Sequence, residues 1–177
     1  MALGLAGTLL TSEQIAERVQ AMGAQITRES TGADLLVISV LKGAFVFTAD
    51  LIRSIDLPCQ IEFVSVSSYG SGTESAGKIT VRQDLSIPIK GRHVLVVEDI
   101  VDTGTTLAFL RERLLDQSPA SLRIATLLDK PSRRKTEVPV DYVGFAIPDE
   151  FVVGYGIDWA ERFRSLPFIG MIGELPE

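Results

Sequence analysis

The apolar residues of this chain fall into two rhythms that alternate along it. Leu35 to Leu41, Val94 to Val97 and Leu122 to Leu128 are dominated by Val, Leu and Ile, the pattern of strands buried on both faces of a parallel sheet. After the first two the spacing changes. Phe47, Leu51 and Ile55 within 44–55, and Leu107, Leu110 and Leu114 within 107–115, recur at helical intervals. Thr11 to Met22 predicts a further amphipathic helix, with Ile15, Val19 and Met22 on one face and Thr11 with Gln14 as a capping box. Ile61 to Val66, Lys78 to Arg82 and Tyr142 to Ile147 read as further strands. Strand and helix alternate, so the expected class is α/β: a mostly parallel central sheet with helices on both faces and ligands beyond the strand C-termini.

Composition narrows this picture. A chain of 177 residues, 46% of them hydrophobic, suits a single domain with a proper core. No apolar run approaches the roughly 20 residues needed to cross a bilayer. Met1 to Leu10 lacks a basic start, and is expected to be a loose or docked N-terminus rather than a signal peptide. Cys59 is the only cysteine, so no internal disulfide can form and a cytoplasmic setting is expected. The net charge of −6 disfavours general nucleic-acid binding, which needs a basic face.

The chemistry concentrates in residues 94–107. A buried strand runs into Glu98 and Asp99, then Ile100-Val101-Asp102, then Thr103-Gly104-Thr105-Thr106 and a helix. A helix start offers unpaired N–H groups and the positive end of the macrodipole, Gly104 allows close backbone approach, and the threonines add hydroxyl donors. Together they predict a site for a phosphate monoester. The stretch lacks the Gly-x-x-x-x-Gly-Lys-Ser/Thr of a nucleoside-triphosphate loop. Glu98 and Asp99 could hold a vicinal diol, a magnesium ion or both, and Asp102 lies between diol and phosphate, where a base is useful. A plain helix cap would need one acid, and here there are three. Lys42-Gly43, between a strand and a helix, predicts a second anion cradle.

Val-Val-Glu-Asp-Ile-Val-Asp-Thr-Gly-Thr-Thr, residues 96–106, resembles the phosphoribosyl-diphosphate signature of the type I phosphoribosyltransferases. The likeness runs from about Leu35 to Arg164 and points to the hypoxanthine-guanine branch of that family. It implies a type I phosphoribosyltransferase fold with a small hood built from the chain ends. The implied reaction moves 5-phosphoribosyl from phosphoribosyl diphosphate to hypoxanthine or guanine, releasing pyrophosphate and requiring Mg2+, in a homodimer or homotetramer.

The same likeness assigns roles. Glu98, Asp99, Asp102, Thr103, Gly104, Thr105 and Thr106 bind the phosphoribosyl group, with Asp102 as the base. Lys42, Gly43 and Arg164 bind pyrophosphate, often through a cis peptide before the lysine. Lys130 donates to the purine six-oxo group, Phe151 stacks on the base, and the Val152 backbone bonds its edge. Asp158 contacts the guanine amino group or, with Glu98 and Asp99, serves metal ions. The polar segment 67–78 is a lid or a plain loop, and on the family reading Ser68 and Tyr69 stand at the lid's base. Of Arg133 and Arg134, one is expected to brace the acids, and the sequence does not say which. Tyr155, Trp159 and Phe163 are expected to form a packing stripe, and His93 to be a strand-edge residue. A phosphoribosyltransferase for adenine, xanthine or a pyrimidine is one rival reading, and a nucleic-acid-binding regulator of the same fold is another.

Overall fold

The computed structural model describes residues 3–69 and 78–174. Among them, six strands form the central sheet. Labelled in chain order, they lie as β4 (Lys78–Gln83), β3 (Cys59–Tyr69), β2 (Leu35–Leu41), β5 (His93–Val101), β6 (Ser121–Asp129) and β7 (Tyr142–Ala146). All pairings are parallel except β3 with β4. A second, antiparallel sheet orders β1 (Leu3–Leu10), β9 (Ile169–Glu174) and β8 (Val152–Val153), and so joins the two ends of the chain as the small hood. The N-terminus is therefore docked, as one of the two expectations had it.

The unbroken apolar strands are explained by what covers them. Leu35, Val37, Leu95 and Val97 face one core, with Phe47 and Leu51 of α2 (Phe45–Ser54) and Ile15, Val19, Met22 and Ile26 of α1 (Ser12–Glu29). Leu36, Ile38, Val40, Val94 and Val96 face the other, with Leu107, Leu110 and Leu114 of α3 (Thr105–Leu115). Successive strand residues point to opposite faces, so a strand covered on both must be apolar at every position. α1 begins at the expected Thr11–Gln14 capping box but continues past the expected end at Met22, through Gly23, to Glu29. Ile26 extends the buried stripe, and Gly23 lies where α1 meets α2: a Cβ there would stand 2.5 Å from Ser54.

The strand order places the site. From β2 the chain crosses to β3 on one side, and from β5 it crosses to β6 on the other. The helices that follow, α2 and α3, consequently cover opposite faces. Where the winding reverses, the loops leaving adjacent strand ends part and leave a crevice. β2 and β5 stay paired only to Ser39 and Val97, so Lys42-Gly43 and Glu98-Asp99 lie just past the last shared pair. No helix among the described residues is long and apolar enough to cross a membrane.

Candidate active site

Three segments distant in sequence close on one another at this crevice. The peptide between Leu41 and Lys42 is cis. Gly43 is gripped from both sides: a Cβ on it would lie 1.7 Å from Asp99 Oδ2, and a Cβ on Gly156 would lie 2.2 Å from the Gly43 carbonyl. Asp99 at the end of β5, the turn after β2 and the segment after β8 are thus in direct contact, with no room for a methyl group between them.

Glu98 and Asp99 are half-buried. Burial pushes the Glu98 carboxyl well above the ordinary range, and the neighbouring Asp99 charge adds to this. Burial raises Asp99 too, opposed by hydrogen bonds from Glu98 and the Ile100 amide and by the Arg164 charge. Two carboxylates held together in partial burial repel, and a cation or hydroxyl donors between them relieve the repulsion. Their hard oxygens fit Mg2+, which takes one or two protein carboxylates and fills its shell with water and substrate phosphate. Among the described residues no three His, Cys, Asp or Glu side chains converge closely enough to hold a metal unaided. Asp158 spends its carboxylate on Arg164 Nη2 at 2.7 Å and on the Glu161 amide at 2.8 Å.

The Thr103–Thr106 loop, expected to receive an anion, follows. Gly104 takes φ +80° immediately before α3, a left-handed turn suited to glycine. A Cβ there would also stand 2.3 Å from the Thr136 carbonyl. Behind the loop, the amides of Lys135 and Thr136 donate to the Thr103 carbonyl at 2.9 and 3.0 Å. Arg134 Nη1 donates to the Asp102 carbonyl at 2.9 Å, and its other end pairs with Asp129. With its carbonyls held from behind, the loop presents the unpaired first N–H groups of α3 outward. Glu98, Asp102, Thr103, Gly104 and Thr106 are among the residues lining a cavity of about 100 Å³ there. A far larger cavity, about 1100 Å³, runs between α1, α2 and residues 164–167 and shares only Arg164 with the predicted set. Size does not locate the chemistry here; the convergence of charged groups does.

Asp102 links this loop to the turn after β6. Arg133 Nε donates to Asp102 Oδ1 at 2.7 Å, and its Nη1 reaches Asp149 at 3.2 Å. Lys130 is 7% exposed, its ammonium bonded to the Glu150 carbonyl at 2.6 Å and 3.9 Å from Asp149. An ammonium has three N–H donors, so Lys130 keeps capacity for another acceptor. Phe151, next to that carbonyl, is 54% exposed, an aromatic face with nothing stacked on it among the described residues. Val152 is buried in β8 opposite Met171.

The remaining predicted positions divide. Arg164 stands with Lys42 around Glu161, which neither motif had singled out: Glu161 Oε1 lies 3.0 Å from Lys42 Nζ, and Oε2 lies 3.1 Å from Arg164 Nη2. Ser68 and Tyr69 end β3, opposite Ile79 and Lys78; residues 70–77, most of the expected lid, lie outside the described residues. His93 opens β5 and bonds Ser121 Oγ at 2.8 Å, a strand-edge role as expected. The expected stripe of Tyr155, Trp159 and Phe163 splits. Tyr155 is buried, with its hydroxyl on Asp50, while Trp159 and Phe163 are only half-buried and stack on each other, centroids 6.4 Å apart. Left-handed residues at Tyr155, Ala160, Glu161 and Phe163 break any helix there, so spacing of three or four no longer implies a shared face.

Both arginines that the sequence left unresolved touch Asp102, Arg133 through the carboxylate and Arg134 through the backbone. Asp129, Asp149 and the Glu150 carbonyl were missed. Only their nearness to Lys130 and the arginine pair in sequence could have signalled them.

A family model described as "Phosphoribosyl transferase domain" matches residues 6–159. A hypoxanthine phosphoribosyltransferase of Haemophilus influenzae is 52% identical over 167 residues, 93% of each chain. A hypoxanthine-guanine phosphoribosyltransferase of Streptococcus pneumoniae is 47% identical over 94% of this chain and 92% of its own. The crystal structure of a hypoxanthine-guanine phosphoribosyltransferase from Bacillus anthracis superposes with a TM-score of 0.91 at 46% identity, covering 97% of this chain and 100% of that one.

Proposed function

The chain belongs to the phosphoribosyl transferase family, and on that premise we propose that it moves 5-phosphoribosyl from phosphoribosyl diphosphate to hypoxanthine or guanine, releasing pyrophosphate. The observation that carries this reading is the juxtaposition at the β2–β5 crevice: a small cavity lined by Glu98, Asp102 and the N-terminus of α3, with Asp99 against the Lys42–Gly43 turn, two carboxyls raised by burial and the cations Lys42 and Arg164 gathered at Glu161. That is the charge pattern of a molecule with a phosphate at one end, a diol in the middle and a diphosphate at the other.

The roles follow from where charge moves. The amides of Thr103, Gly104, Thr105 and Thr106 anchor the 5′-phosphate, which keeps its charge throughout. Glu98 and Asp99 accept from the ribose hydroxyls, and their charge favours a ribose that becomes cationic as the bond to pyrophosphate breaks. Lys42 and Arg164 meet the growing charge on the leaving pyrophosphate, the guanidinium offering a fork of donors. Glu98 and Asp99 would also hold Mg2+, which supplies further neutralisation of the diphosphate when bound.

Asp102 takes the proton from the attacking imidazole-ring nitrogen of the purine. Arg133 occupies only Oδ1 of that carboxylate, which leaves Oδ2 for the proton. Lys130 donates to the six-oxo group, so a 6-aminopurine would set donor against donor. Phe151 supplies the stacking face, and Asp158 faces the guanine amino group or a second cation.

The test is direct: the protein is mixed with phosphoribosyl diphosphate, Mg2+ and one of hypoxanthine, guanine, xanthine or adenine, and nucleotide is followed by absorbance. Turnover is expected with hypoxanthine or guanine and not with adenine. No nucleotide from either of the first two would refute the assignment.

A further inference from the structure

Glu161 has a geometry that the reaction so far described does not use. It lies between Asp158 and Arg164 in the chain, and two consecutive non-glycine residues in left-handed conformation, Ala160 at φ +51° and Glu161 at φ +61°, set its direction. Its amide is tied to Asp158 Oδ2 at 2.8 Å. The two oxygens of its carboxylate are divided between two cations from distant parts of the fold, Oε1 to Lys42 at 3.0 Å and Oε2 to Arg164 at 3.1 Å. The close approach of Gly156 to Gly43 keeps the two segments in register, so that this bridge can form.

We propose that Glu161 is an internal anion standing in for pyrophosphate: it holds Lys42 and Arg164 together in the free protein and yields both when a diphosphate arrives. This rests on the reading of Lys42 and Arg164 as the pyrophosphate ligands. A carboxylate bridging one ammonium and one guanidinium presents two oxygens at the positions where two phosphate oxygens would be received. The bridge keeps a flexible lysine from wandering across the site, and it offsets part of the positive charge that draws diphosphate in. Glu161 is therefore a positioning residue with an opposite effect on affinity: it weakens binding of diphosphate and so aids release of pyrophosphate. Lowering of its carboxyl pKa, chiefly by Lys42 and then by Arg164, agrees with a carboxylate charged whenever the site is empty. Glu161 and Lys42 are about two-thirds exposed, though Arg164 is only 19% exposed, so the carboxylate itself can leave for solvent when a ligand arrives.

The experiment is calorimetric titration of the intact protein with magnesium pyrophosphate, in wild type, Glu161→Gln and Glu161→Asp. Glu161→Gln is expected to bind roughly three- to tenfold more tightly, the range that one exposed and one partly exposed ion pair supply. Pyrophosphate should inhibit turnover of that variant correspondingly more, and the difference from wild type should shrink at high salt. Glu161→Asp keeps the charge and should stay near wild type. A residue that merely supported the loop would lose affinity when changed, so tightening separates the two roles. Equal or weaker binding by Glu161→Gln, with wild type binding normally, overturns the inference alone. Failure of wild type to bind pyrophosphate overturns the pyrophosphate assignment and this inference with it.

Discussion

Replacing Gly43 by alanine tests whether the crevice works as a rigid assembly. The backbone at Gly43 is not in the left-handed region, so alanine carries no conformational penalty of that kind. The effect must come from the methyl group. That methyl would stand 1.7 Å from Asp99 Oδ2 and 2.6 Å from its Cγ, whereas ordinary contact begins near 3.4 Å. Either the Asp99 carboxylate or the Lys42–Gly43 turn must retreat by about 1.7 Å. Asp99 is poorly placed to yield, because its Oδ1 accepts from the Ile100 amide at 2.8 Å and Glu98 crowds it. The turn is pressed from behind by Gly156. Misplacement of a reacting group by ~1 Å can cost ~100-fold in rate, so kcat/KM is expected to fall by about 100-fold or more. The assay is steady-state kinetics with phosphoribosyl diphosphate varied, beside a thermal melt. The melt should change little, because the turn lies outside both cores. A kcat/KM within about fivefold of wild type would refute the idea that Asp99 and the lysine turn hold one fixed geometry.

Three further outcomes are expected. Asp102→Asn should lower kcat by roughly 100- to 10,000-fold, the usual span for a general base, with far less change in the dissociation constant for phosphoribosyl diphosphate; near-normal turnover would show that Asp102 is not the base. Glu98→Gln should abolish or cripple turnover yet stabilise the ligand-free protein at neutral pH. A carboxyl whose folded pKa is raised holds its proton more tightly in the folded state, so stability falls as pH rises through and above the ordinary carboxyl range. The variant's higher melting temperature should therefore vanish below about pH 4.5, and a gain of equal size at pH 4 would contradict this account. Arg134→Met should strand Asp129, its largely buried partner, and free the Asp102 carbonyl. Breaking a buried pair costs about 3–5 kcal/mol, to be read from chemical denaturation; a loss under about 1 kcal/mol would assign the brace to Arg133 instead.

Much of this protein was determined by local chemistry that a linear reading can follow. Val94 to Val97 suited a strand covered on both faces, because four consecutive apolar residues place apolar side chains on each, and both cores do take them. Thr103 to Thr106 had the makings of an anion loop, because hydroxyls, a glycine and a helix start coincide there, and the helix does begin at Thr105. The capping box of α1 was equally local. What the tertiary structure decided was which distant groups share a volume. Glu161 lies 119 residues from Lys42, and nothing in either neighbourhood announces the other. Their meeting depends on strand order, on the reversal of winding between β2 and β5, and on the close approach of the Gly156 and Gly43 backbones beside the Asp99 carboxylate. Arg133 and Arg134 are adjacent and identical in type, and only the direction in which the turn after β6 points each one assigns them to a carboxylate and a carbonyl. The packing stripe divided into a buried Tyr155 and a Trp159–Phe163 stack for the same reason. Spacing implies a shared face only inside a regular element, and the segment from Tyr155 to Phe163 repeatedly enters the left-handed region. Periodicity carries information as far as a hydrogen-bonded ladder extends; beyond it, side chains are placed by contacts that no neighbour in sequence encodes.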